Sequence, residues 1–408
     1  MESLWNAREE VWQLAGYAAG KEFQMDNTVF SSAAIYGAGM VAVSVYYAVK
    51  TLYKETEVLC FIVKEQLGNP ASIDGVPVVT LDCFKEGGIS GIRKENAGCF
   101  PERRTEENGK KERREAPEKE IGIIIATPEN HHASIIEDLK ERGFHNYICI
   151  DSGKEADLMG RYYGRTGGFP LLRSCPPGAQ DPEVSVYMSK FYKDQPLQGD
   201  YPVPAWLHPI QAGASLTELR VADICDNAGD NISVKNVNYS ELSAMYWIWK
   251  HADAEYLGLF HYRRILDIKE EDFRRLGEND IDVVLPYPSV YFPNIEGHHK
   301  RYVEDSDWEA MVKALEECAP EYAAALPGIF AGQYFYNYNI LVAKRQVFKD
   351  YCSWLFPVLE RTEELSVPKG KERADRYIGY LGENLTTLYF LYHSKDYRIV
   401  HTGRRMLV

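Results

Sequence analysis

The stretch EYLGLFHYRRIL, residues 255–266, is an apolar run that ends abruptly in His261, Tyr262, Arg263 and Arg264. Such a run reads as a buried strand, and open α/β sheets bind ligands just outside the carboxyl ends of their strands. Two guanidinium groups at that place can meet phosphate oxygens through forked, charge-assisted hydrogen bonds. A pair of surface arginines bridged to acids such as Asp267 is the plainer alternative. Upstream, DNAGDNIS puts Asp226, Asn227, Asp230 and Asn231 ahead of a helix start. These residues form turns readily, and four so close together also suit a loop that binds a polar ligand. A third cluster is IYGAGMVA, which matches G-x-G-x-x-A with Gly37, Gly39 and Ala42. Small residues between a strand and a helix let the backbone approach a phosphate at the positive helix end. A nucleotide or NAD is the ligand that pattern suits. The acid expected at the end of the next strand is not evident, because FIVKEQ offers Val63 and Lys64 before Glu65.

The elements that must hold these residues follow an α/β pattern. From residue 32, short apolar strands alternate with helices through NYICID, which predicts a parallel, doubly wound, Rossmann-like sheet over 29–152. Inside it, residues 94–120 are more than half charged and nearly free of aliphatic side chains, as in a solvated, disordered insertion. Residues 1–28 read as an amphipathic helix with Trp5, Val11, Trp12 and Ala15 near one face, suited to packing or to membrane docking. The Gly- and Pro-rich residues 153–182 read as a linker, and a second α/β domain follows over 183–408. Within it, Asn238 and Glu241 have capping-box spacing. The helix that follows them places Leu242, Met245, Tyr246 and Trp249 on one face.

Composition excludes several classes. The chain has 408 residues, 45% of them hydrophobic and 26% charged, with a net charge of −14. That balance suits a globular protein and opposes binding to nucleic acid, which needs a cationic surplus. The eight cysteines show neither CxxC nor Cys/His ligand spacing, so no metal site and no disulfide framework is expected. No run is long enough to span a bilayer and the first residues lack the plan of a signal peptide. The expected location is the cytoplasm, with peripheral association at the inner face of the membrane left open, as is a homo-oligomer.

The ordered segments DNAGDNIS, YSELSAMYWIWK, YLGLFHYRRIL, DVVLPYP, YNYNILVAK, YCSWLF and RYIGYLGENL resemble a bacterial family found in capsular polysaccharide and lipopolysaccharide synthesis loci. That family is regarded as glycosyltransferases, and the resemblance covers roughly residues 183–408. It implies a GT-A-like domain that moves a galactose-type sugar, galactofuranose included, from a nucleotide-sugar donor to a glycan or lipid-linked glycan acceptor. On that layout Asp226, Asn227, Asp230, Asn231, His261, Tyr262 and His401 touch the donor, with Arg404 and Arg405 following His401. Asn337 and Asn339 line the acceptor site, Glu383 is the catalytic base, and Arg263 and Arg264 are the catalytic cations at the leaving diphosphate. GT-A enzymes place Asp-x-Asp and a divalent metal where HYRR stands here, so the resemblance implies metal-independent transfer. The N-terminal half resembles nucleotide-binding domains of bacterial sugar-modifying proteins. A nicotinamide-dependent sugar-nucleotide oxidoreductase and a non-catalytic polysaccharide-assembly protein are the alternatives.

Overall fold

Short runs of Ile, Val and Ala bounded by glycine turns build the first sheet. The structure, a computed structural model, describes residues 30–86, 121–179, 181–197, 199 and 201–407. The expected helix over 1–28 and the charged insertion over 94–120 lie outside the described residues. The sheet contains β1 (Ser32–Tyr36), β2 (Glu57–Val63), β3 (Ser72–Ile73), β4 (Val76–Thr80), β5 (Gly122–Ile125) and β6 (Tyr147–Cys149). Their order is β3-β4-β2-β1-β5-β6, and every pairing is parallel except β3 with β4. One face, with Ala33, Ile35 and Ile124, packs against the helices Met40–Leu52 and Ser152–Thr166. The other, with Ala34, Tyr36, Ile123 and Ile125, packs against the helix His132–Glu141. Burial on both faces is why these strands read as unbroken apolar runs.

The glycine turn after β1 forms as its spacing predicts. Gly37 has φ +121°, and a Cβ there would lie 2.7 Å from the Ala126 carbonyl oxygen and 3.3 Å from the Ala42 Cβ. Its smallness therefore serves the close approach of β1 to the turn after β5. At Gly39 the nearest atom to an added Cβ is an Arg301 guanidinium nitrogen at 4.0 Å. Gly37→Ala is expected to cost about 1–3 kcal/mol and Gly39→Ala distinctly less, as measured by chemical denaturation.

Residues 153–166, assigned by composition to a linker, belong instead to a helix, Ser152–Thr166. Asp151 caps it by accepting from the Lys154 amide at 2.8 Å, and Gly167 ends it in the left-handed conformation. Gly153, Gly160 and Gly164 lower helix propensity. Burial of Leu158, Met159, Tyr162 and Tyr163 against the first helix overrides that weak preference.

The second sheet contains β7 (Val184–Lys190), β8 (Leu207–Gln211), β9 (Ile224–Cys225), β10 (Tyr256–His261), β11 (Arg264–Leu266), β12 (Val283–Pro286), β15 (Leu341–Lys344), β16 (Ile399–Thr402) and β17 (Arg404–Met406). Its main path is β16-β12-β15-β10-β7-β8-β9. β10, β7, β8 and β9 are parallel, and β15 runs antiparallel to both β10 and β12. β13 (Ser289–Val290) and β14 (Tyr334–Phe335) form a separate pair. Both sheets and the helices around them thus make an α/β fold. Among the described residues no helix is long and apolar enough to cross a membrane.

The two sheets are joined by side chains as well as by chain connection. The Tyr163 hydroxyl donates to the Pro288 carbonyl at 2.6 Å. The Val290 amide donates to Ser44 Oγ at 2.9 Å, and the Met406 amide to Ser152 Oγ at 2.9 Å.

Candidate active site

The HYRR stretch does not simply end a strand. β10 turns back through Tyr262 and Arg263 into β11, with His261 paired to Arg264, and β11 pairs in turn with β17, antiparallel. The hairpin gives the two arginines different partners. Arg264 sets its guanidinium 4.5 Å from the centre of the Tyr338 ring and acts electrostatically on Glu383. Arg263 lies over Tyr262 at 5.5 Å and acts on Asp194. The arginines are therefore not one forked pair, because Arg263 stands in the hairpin turn while Arg264 opens β11. Arg263 Nε is buried without a hydrogen-bond partner among the described residues.

Two carboxylates face this hairpin. Glu383 lies inside the helix Tyr377–Tyr392, beyond its first turn, so the helix dipole is not what places an acid there. Burial and then the Glu241 charge raise its carboxyl, the Tyr338 amide, Arg264 and Arg376 pull it down, and the balance leaves it at about 8. Glu241 precedes the helix Leu242–His251 and does not close a capping box. Its Oε1 accepts from Asn339 Nδ2 at 2.7 Å and lies 3.6 Å from His261 Nε2. Burial works to raise its pKa, but the electrostatic influence of the nearby His261 ring and the hydrogen bond from Asn339 outweigh it, so Glu241 titrates below the usual glutamate. At neutral pH Glu241 carries the charge and Glu383 the proton. A carboxyl raised to near neutral pH, once ionised, accepts a proton and holds it firmly, which suits Glu383 to the role of a base.

The backbone beneath the carboxylates is strained. Tyr338 and Asn339 have φ of 76° and 50°, and Ser240, next to Glu241, has φ 50°. Non-glycine residues in this region cost about 1–3 kcal/mol each and persist where the surroundings over-determine them. Here Asn339 is fully buried. It donates to Glu241 and to the Gly379 carbonyl at 3.2 Å, and accepts from Thr386 Oγ1 at 3.0 Å. Asn339 thus orients Glu241 and does not line an acceptor site. Asn337 is likewise occupied, donating to Ser289 Oγ at 2.9 Å and accepting from the Tyr291 hydroxyl at 3.3 Å.

Two other expected donor contacts are corrected. His401 is 3% exposed. Its Nε2 meets the Tyr336 hydroxyl at 2.8 Å and its Nδ1 the Pro170 carbonyl at 3.1 Å. Burial holds it down to about 4, so it is a neutral structural histidine with neither nitrogen available. Asp226 is also fully buried. It accepts from the Gly213 and Ala214 amides at 2.8 and 3.0 Å and from the Ser233 and Ser243 hydroxyls at 2.5 and 2.7 Å. Four donors satisfy its carboxylate, and it organises the turn after β8. Asn231 closes its own turn on the Gly229 carbonyl at 2.7 Å. Asp230 accepts from the Tyr246 hydroxyl at 3.1 Å. Asn227 is exposed on the same loop. Tyr262, half-buried, is held by its amide to the Ser189 carbonyl at 2.9 Å.

Glu241, Asp194, Arg376 and Tyr338 complete the cluster. The spacing of Glu241 imitates a cap, and Asp194 and Arg376 lie in loop sequence without pattern. Tyr338 stands out in sequence only as part of FYNYNI. No cluster of three or more His, Cys, Asp or Glu that could hold a metal ion occurs among the described residues. His261, Arg263 and Arg264 do not supply the oxygen ligands that magnesium or calcium takes. The turn of Gly37, Gly39 and Ala42 stands beside this site, with Arg301 facing Gly39 and the Tyr291 hydroxyl 3.3 Å from Met40 Sδ.

Comparison with known proteins gives three findings. A family described as a domain of unknown function (DUF4422) matches residues 197–395. No curated protein matches the chain. Among solved structures, the chain is similar to the apo form of WbbM, a bifunctional glycosyltransferase. The identity is 25% and the TM-score 0.48, over 55% of this chain and 45% of that one. The chain thus spans less than half the length of that protein.

Proposed function

We propose that the protein is a glycosyltransferase that moves a sugar from a nucleotide-diphosphate donor to a hydroxyl of a bacterial surface-glycan acceptor. A galactose-type donor, galactofuranose included, follows from the family resemblance of residues 183–408. The observation that carries the reading is the opposed ionisation of Glu241 and Glu383 beside the arginines of the hairpin. Transfer needs a cationic surface for a leaving diphosphate and a group able to take a proton from the acceptor. Both meet at Tyr338.

In an inverting displacement the acceptor oxygen bonds to the anomeric carbon while the bond from that carbon to the diphosphate oxygen breaks. The diphosphate leaves with the bonding pair, and the hydroxyl proton passes to Glu383 in those molecules whose Glu383 carboxyl is ionised, a fraction that grows as pH rises toward about 8. Arg264, with Arg263 and His261 beside it, balances the charge that develops on the leaving group. Glu241 stays ionised, fixed by Asn339. These cations stand where related enzymes use a metal, so transfer is metal-independent on this reading. The N-terminal sheet likewise needs no nucleotide or NAD of its own for the step.

Incubation of the purified protein with a panel of nucleotide-sugars tests the proposal. Release of nucleoside diphosphate that persists in excess EDTA is expected. Loss of release in EDTA with recovery in manganese overturns the metal-independent step. Reduction of a nicotinamide cofactor without diphosphate release favours an oxidoreductase. Activity in neither assay favours a non-catalytic assembly role.

A further inference from the structure

The C-terminal strand β17 lies between the two units, and its surroundings are unusually constrained. On one side it pairs with β11, Leu266 opposite Arg404 and Arg264 opposite Met406. On the other it packs against the helix Ser152–Thr166 of the N-terminal unit. A Cβ on Gly403 would collide with Ala156, and the Met406 amide is held by Ser152 Oγ. Arg404 emerges from this strand with its side chain 14% exposed. Its guanidinium lies 4.8 Å from the centre of the Tyr338 ring, whose other cationic neighbour is Arg264 at 4.5 Å. The carboxylate paired with Arg404 is Glu155, 18% exposed, on the same N-terminal helix at 3.4 Å.

We infer that the N-terminal unit is a positioning element of the transfer site, in which Glu155 sets Arg404 so that Arg404 and Arg264 together hold Tyr338 in its strained conformation. Three physical steps carry this. A buried guanidinium is costly unless it is paired, and Glu155 supplies the pairing from the other unit. Cations close to an aromatic ring stabilise its placement, and a left-handed tyrosine needs such support. Tyr338 then directs its amide toward Glu383 and fixes the start of the Asn339 link to Glu241. The N-terminal unit thereby reaches both carboxylates through Arg404 and Tyr338. Glu155 touches neither the donor nor the reacting atoms, and the inference rests on the transferase reading above.

The test combines kinetics with a probe that needs no substrate. Glu155→Gln is expected to lower kcat about tenfold, with donor KM nearly unchanged and the protein still folded though less stable, because the Arg404 guanidinium loses its charged partner. Glu155→Asp, which keeps the charge, should recover part of the loss. In an Arg404→Met background the effect of Glu155→Gln should vanish, because Glu155 acts through Arg404. The Tyr338 resonance in protein labelled with fluorotyrosine, identified by its loss in Tyr338→Phe, should shift in Glu155→Gln. An unshifted resonance, an unchanged kcat, or a full Glu155→Gln loss in the Arg404→Met background overturns the inference. A shifted resonance in a protein that transfers no sugar overturns the transferase reading and preserves the link from Glu155 to Tyr338.

Discussion

Glu383→Gln is expected to lower the rate of sugar transfer by about 10²–10⁴-fold, the usual contribution of a positioned base, while the protein stays folded. Glutamine keeps the shape and the acceptor oxygen for the Tyr338 amide but cannot take a proton. The pH dependence adds an independent signature. With its carboxyl raised to about 8, Glu383 is protonated at neutral pH in the free protein. The acceptor-limited rate should rise with pH through an inflection near that value, and the inflection should disappear in Glu383→Gln. Stability moves the opposite way. The folded-state value lies above the unfolded value of 4.5, so the folded form binds the proton more tightly. Its contribution is fully present below the unfolded value and is lost as pH rises through the folded one. Thermal unfolding of the unaltered protein should therefore fall more steeply over that window than unfolding of Glu383→Gln. Equal slopes together with an unchanged rate place the base elsewhere.

Arg264→Ala is expected to cost about 1–3 kcal/mol in transition-state stabilisation, through loss of a charged hydrogen bond to the leaving diphosphate. Its position makes the loss larger than that of Arg263→Ala, because Arg264 both faces Glu383 and supports Tyr338, whereas Arg263 faces Asp194. Arg264→Lys should recover little, since an ammonium neither forks nor stacks as a guanidinium does. Measuring kcat/KM for donor in the three variants checks the order. A larger loss for Arg263→Ala moves the diphosphate to the Asp194 side of the hairpin. Unchanged kinetics in both place the donor away from HYRR.

The legible and illegible parts of this chain separate along physical lines. Strand and helix alternation before residue 152 could be read directly, because a sheet buried on both faces demands continuous apolar runs. The helix over 152–166 could not, because its glycines signal a connection and only packing against the first helix overrules them. At the site, the arginines and Glu383 are conspicuous because charge is rare at the end of an apolar run and in an apolar helix. Their partners are not conspicuous. Glu241 mimics a cap, and His401 and Asp226 look like ligand contacts until burial shows every polar atom already satisfied.

By itself, then, the sequence determined the α/β class, the glycine turn at Gly37, and the region in which charge meets the second sheet. Those features follow from local patterning, which a linear chain carries intact. Only the tertiary structure decided that Arg263 and Arg264 part company and that Asn339 serves Glu241. It alone also brought Glu155, from the N-terminal unit, to Arg404. Hydrogen-bond partners and desolvation depend on residues hundreds of positions apart, and no local pattern encodes them.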